Sequence, residues 1–162
     1  MKRSLLQRAT SLRTRGTRIA GTAFAAALRR RTPSSYRPGT TVLTVNWNSL
    51  YFLERTLAAV EAMSPSGTEI MVVDNASTDG SREFLRDHPR VRVLALPANV
   101  GHGIALDLAV PRIDTEYVAV LDVDAFPVSS TWIQESIAAL DGGARLVGAH
   151  LNRNYVHPCF LV

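Results

Sequence analysis

From residue 41 onward, short runs of apolar and β-branched residues alternate with segments of helical spacing, and several runs close on a carboxylate or an amide. This alternation most constrains the fold. Residues 41–45, 69–73, 91–96, 116–123 and 145–151 read as strands, each too short and too β-branched for a helix. Between them, residues 50–63 carry Leu53, Leu57 and Val60 at helical spacing, with Asn48 or Ser49 as the expected cap and "SPSG" as the stop. Residues 77–88 open with capping residues and predict a short helix, and 103–110 and 130–140 predict two more. The order β-α-β-α-β-α-β-α-β predicts an α/β domain, three layers deep (α/β/α), around a mostly parallel sheet.

In such sheets ligands bind outside the carboxyl ends of the strands. The polar residues of interest fall there: Asn46-Trp47-Asn48, Asp74-Asn75, Asn99, and Asp122 with Asp124. Two carboxylates one residue apart repel each other unless a positive partner or water separates them. On an extended segment both would point to one side. Two hard oxygen ligands so placed suit Mg²⁺ or Mn²⁺, which keep waters and bind through one or two carboxylates plus substrate phosphates; the plainer reading is a polar strand end with one Asp capping a helix. Asp74 can accept hydrogen bonds from a nucleobase or a ribose, whereas Ser77 and Thr78 are better explained by an Asx turn and a helix cap. Trp47 either stacks on a base or fills the core. "NVGHG" is either a weak phosphate loop or a helix entry that needs glycine, because Leu106 stands where a dinucleotide fingerprint wants its last glycine. His88, His102 and His150 read as surface residues, and His157, alone before a proline, points weakly to a late donor-site residue.

Charge divides the chain. Residues 1–40 hold ten Lys/Arg and no acid, residues 41–162 eight Arg and fourteen acids, so the net +4 splits into +10 and −6. The basic balance thus belongs to the first 40 residues, and nucleic acid is not an expected partner. Residues 31–40, "RTPSSYRPGT", read as a linker, giving a basic extension and linker over 1–40 and one domain over 41–162. The longest uncharged run in the extension is about half the roughly 20 apolar residues a membrane span needs. A basic segment lying on an anionic membrane surface remains compatible with it. The expected location is cytoplasmic, with peripheral contact at the inner membrane face. The lone Cys159 fits a reducing compartment.

Four ordered stretches, "TVLTVNWNS", "IMVVDNASTDGS", "NVGHGIALDLA" and "YVAVLDVDAFP", resemble the nucleotide-sugar-binding half of family 2 glycosyltransferases with the GT-A fold. The resemblance covers residues 41–130 closely and 131–162 loosely. It implies a Rossmann-like GT-A domain that moves a sugar from a nucleotide-diphosphate donor to an acceptor hydroxyl, metal-assisted and inverting. The donor is a UDP-, GDP- or dTDP-sugar and the acceptor a glycan or lipid-linked molecule. By the same resemblance Val45 and Trp47 meet the base, Asp74 binds base or ribose, Asn99 lies in the donor site, Asp122 sits near the ribose and donor sugar, and Asp124 holds Mn²⁺ or Mg²⁺. Two departures stand out. Asp107 occupies a position where the family often has Asn. After Asp124 the only acids are Glu135 and Asp141, so the catalytic base is unassigned and the acceptor region reads as short or missing. The alternative is a catalytically incomplete nucleotide-sugar-binding fragment or module. A dehalogenase-type phosphatase, which shares D-x-D after a strand, needs a downstream lysine, and the only lysine is Lys2.

Overall fold

The computed structural model describes residues 33–144, 147–152 and 155–161. The strands are β1 (Arg37–Asn46), β2 (Glu69–Asp74), β3 (Val91–Ala95), β4 (Thr115–Asp122), β5 (Val147–Asn152) and β6 (Tyr155–Leu161). The helices are α1 (Leu50–Met63), α2 (Ser81–Arg86), α3 (His102–Ala109) and α4 (Trp132–Asp141), with a single 3₁₀ turn at Val110–Arg112 after α3. The sheet runs β3-β2-β1-β4-β6-β5. β3, β2, β1 and β4 are parallel, and β6 is antiparallel to both of its neighbours.

Alternating side chains send each central strand into two cores. Val42, Ile70, Val72 and Ala119 meet Leu53, Leu57 and Val60 of α1, Leu85 of α2 and Ile133 of α4 on one face. Leu43, Val45, Met71, Val73 and Val120 meet Ala105, Leu108 and Ala109 of α3 on the other. The expected three-layer α/β architecture is therefore present. α1 buries Leu53, Thr56, Leu57 and Val60, the stripe that its spacing announces.

Three expectations need correction. β1 begins at Arg37, inside the stretch read as linker, because Arg37 forms ion pairs with Glu69 and Asp114 and its N–H donates to the Asp114 carbonyl. Ser49 stands at the N-cap of α1 as expected, but its side chain makes no cap bond; the Leu50 N–H donates instead to Asp79 Oδ2 at 2.8 Å, from a loop 29 residues away. The expected order ends on a fifth strand, whereas the sheet has a sixth, β6, which lies between β4 and β5. β6 contains Pro158, which has no N–H to give to a ladder, and the pairing with β5 shifts register between Gly148 and His150 opposite that stretch.

Candidate active site

Strand register gathers the carboxyl-end residues. Val45 pairs with Asp122, and Asn46 pairs with Asp74, so β1 lies between the two acids at one edge of the sheet. Asp74 pairs in turn with Ala95 at the end of β3.

Asp122 and Asp124 are not on one extended segment, as the sequence had suggested. β4 ends at Asp122, and the Ala125 N–H donates to the Asp122 carbonyl at 2.9 Å, which closes a turn over Val123 and Asp124. The Asp122 side chain keeps 31% of its surface open, and Asp124 is exposed. Among the described residues no group of three or more His, Cys, Asp or Glu converges on one point. Two open carboxylates fit a hard divalent cation whose other ligands are water and phosphate oxygens, and they do not fit a closed all-protein cage. His102, expected as a plain surface residue, lies with Nε2 3.8 Å from Asp122 Oδ1 while half exposed. Its place at the start of α3, just past the carboxyl end of β3, was the available signal.

Asp74 differs from a free acceptor. It is fully buried; Oδ2 accepts from Arg82 Nε at 2.6 Å and Oδ1 from the Ser77 N–H at 3.1 Å. Arg82 also donates through Nη2 to the Leu96 carbonyl at 2.8 Å. Beside this pair an open pocket of about 350 Å³ is lined by Asp74, Arg82, Leu85, Arg86, Val93 and Ala95. A carboxylate has about four lone-pair positions, so two bonds do not exhaust Asp74, but its burial leaves Arg82 as the exposed member of the pair.

Trp47 is not a core residue; it is 54% exposed. Val45 is buried, so it offers its backbone to the edge and its side chain to the core. Asn99 Oδ1 accepts from Asn75 Nδ2 and from the Gly101 N–H, and Asn75 Oδ1 accepts from the Val100 N–H. Asn99 thus staples the loop after β2 to the entry of α3, where Gly101 takes φ +88 that a side chain would strain. His150 and His157 have side chains outside the described residues.

Asp79, one of the capping residues that open the 77–88 segment, joins two helix starts. Its Oδ1 accepts from the Ser81 N–H and hydroxyl while Oδ2 caps α1. Burial pushes its carboxyl pKa up, but the hydrogen bonds from Ser81 and Leu50 outweigh that and hold it below the ordinary carboxylate value. Of the two acids after Asp124, Glu135 accepts from the Thr131 hydroxyl at 2.6 Å and Asp141 from the Tyr117 hydroxyl at 3.0 Å. Both serve helix α4 rather than the strand-end edge.

Residues 41–157 match the family model for glycosyl transferase family 2. A provisionally named teichuronic acid biosynthesis glycosyltransferase of Bacillus subtilis (strain 168) is 33% identical over 95 residues, covering 56% of this chain and 38% of that protein. An uncharacterized glycosyltransferase of Mycobacterium tuberculosis (strain ATCC 25618 / H37Rv) is 36% identical over 94 residues, 58% of this chain and 42% of that one. The chain therefore spans well under half the length of these relatives. Among solved structures, a mannosyltransferase from Pyrobaculum calidifontis in complex with GDP-Man and Mn²⁺ aligns with a TM-score of 0.59 at 24% identity, over 86% of this chain and 44% of that one. Glucosyl-3-phosphoglycerate synthase from Mycobacterium tuberculosis, in complex with Mn²⁺ and UDP, aligns at 0.52 and 19% identity, over 64% of this chain and 39% of that one. At these identities the structural likeness is one of fold.

Proposed function

The chain belongs to glycosyl transferase family 2, and from that premise we propose that it binds a nucleotide-diphosphate sugar at the carboxyl edge of β1, β2 and β4 and serves sugar transfer to an acceptor hydroxyl. The register that sets Val45 beside Asp122 and Asn46 beside Asp74 carries this reading. It brings an exposed ring, a buried acid with its arginine and two open carboxylates to one edge. The base lies against Trp47 and the Val45 backbone, near the Asp74–Arg82 pair. Asp122 and Asp124 hold Mn²⁺ or Mg²⁺, which would offset the charge that develops on the leaving diphosphate. Transfer breaks the bond from the anomeric carbon to the diphosphate oxygen, and the electron pair leaves with the phosphate. The new bond forms to the acceptor oxygen from the opposite face, and the acceptor proton passes to a general base. Solved neighbours complexed with GDP-Man, UDP and Mn²⁺ support the choice of donor class and metal.

The engaged state of Glu135 and Asp141 favours a second reading beside it. Both acids belong to helix α4 and hold hydrogen bonds there, so in this reading the described residues serve as a donor-binding unit and the general base comes from other residues. Under both readings, UDP, GDP or dTDP raises the melting temperature in the presence of Mn²⁺. Ligand at a hundredfold excess over its Kd stabilises by about 2.7 kcal/mol, several degrees for a domain of this size. No shift with any of the three nucleotides, with metal present, contradicts both readings. Sugar transfer by the wild type would exclude the second.

We further propose that the basic residues 1–40 hold the chain against anionic membrane surfaces, on the strength of their charge.

A further inference from the structure

We propose that Ser77 is a positioning residue for Trp47, holding the exposed ring in the orientation that a nucleobase meets. The inference rests on the donor-binding reading above and adds a residue to it. Ser77 is almost wholly buried, yet two of its atoms make three contacts at the site. Its Oγ accepts from Asn46 Nδ2 at 3.1 Å and from the Asn48 N–H at 3.1 Å. Its own N–H donates to Asp74 Oδ1 at 3.1 Å. One hydroxyl therefore grips the residues on both sides of Trp47, and the same residue is tied to the buried acid.

The segment it holds turns at Asn48, whose φ of +50 lies in the left-handed region that non-glycine residues adopt uncommonly and Asn more readily than most. Asn48 Oδ1 is held by the Thr78 N–H at 2.7 Å, so the next residue of the Ser77 loop closes the clasp. Asn46 Oδ1 is buried without a partner among the described residues, which leaves Ser77 as the side-chain anchor of its amide. The Trp47 carbonyl accepts from the Ser49 hydroxyl at 3.1 Å. Trp47 is thus exposed while its backbone is fastened before, at and after the ring. A backbone fastened on both sides narrows the positions open to the ring, and freedom that must be lost on binding is lost at the expense of affinity.

The test uses 5-fluorotryptophan and ¹⁹F NMR on the full chain. There are two tryptophans, so Trp47→Phe assigns both signals and Trp132 serves as the internal control. Ser77→Ala and Ser77→Cys are compared with wild type, both free and titrated with UDP, GDP or dTDP plus Mn²⁺. Ser77→Cys keeps the buried side chain and exchanges the hydroxyl for a weak acceptor, so it decides the matter even where Ser77→Ala folds poorly. The expected result is a narrowed, shifted Trp47 signal in both variants with the Trp132 signal unmoved. The nucleotide Kd rises by about tenfold, as expected when ordering must accompany binding. A Trp47 signal identical to wild type in both variants overturns the proposal. Wild type that binds no nucleotide overturns the donor-binding reading instead, while the ¹⁹F comparison still decides what Ser77 does.

Discussion

At the scale of the residue, Asp79 shows what short spacing hides. Its place in "STDGS" announces a local cap for α2, and Ser81 confirms that role. Its bond to the Leu50 N–H spans 29 residues and has no signature in sequence, because only the fold brings the two loops together. The depressed carboxyl gives a testable sign. A group whose folded pKa lies below its unfolded value adds stability above the unfolded pKa and loses it as pH falls through the folded one. Asp79→Asn should therefore cost about 1 kcal/mol near neutral pH, the usual worth of a cap. The deficit should begin to shrink as pH falls through about 4, the unfolded value, and vanish only at the lower pH where the folded carboxyl is protonated as well. Urea unfolding of both proteins at neutral and acid pH checks it, and a deficit independent of pH contradicts it. The D-x-D pair was legible as two carboxylates at a strand end. Its turn geometry was not, because alternation assumes that the strand continues past Asp122.

At the scale of the element, α1 was readable to its ends, since an amphipathic stripe bounded by "SPSG" leaves little freedom. Leu57 is 1% exposed in the middle of that stripe. Leu57→Ala should cost about 3 kcal/mol through lost burial and the cavity left behind. Chemical denaturation measures it; a loss under about 1 kcal/mol would mean that α1 does not carry its face of the core. β1 was read too short because its first residues are polar, and what extends it is the pair of acids that Arg37 meets from β2 and the approach to β4. β6 was legible only through "HPCFLV", an apolar run like an interrupted strand. Its direction and its place between β4 and β5 depend on a return of the chain that local pattern does not encode, and Pro158 weakens the strand signal further.

At the scale of the whole molecule, the convergence of polar strand ends on one edge was legible, because parallel strands with helical crossovers must all finish on the same side. Which of those ends neighbour each other was not, and the strand order decides it: β1 in the middle sets Asp74 and Asp122 on either side of Asn46 and Val45. No helix among the described residues is long and apolar enough to cross a membrane. The charge split instead predicts surface attachment. The chain should sediment with anionic vesicles at low salt and be released as salt rises, whereas a chain lacking residues 1–32 should stay in solution at both. Equal sedimentation of the two chains would remove the membrane role from the basic segment. The central claim is a metal-dependent nucleotide-diphosphate site built on Asp124. Calorimetric titration of UDP, GDP and dTDP, with and without Mn²⁺, into wild type and Asp124→Ala tests it most directly. The account predicts that one nucleotide binds the wild type with Mn²⁺ at least about tenfold more tightly than without it, and that Asp124→Ala abolishes that difference. Binding that ignores both the metal and Asp124, or no binding under any condition, would contradict it.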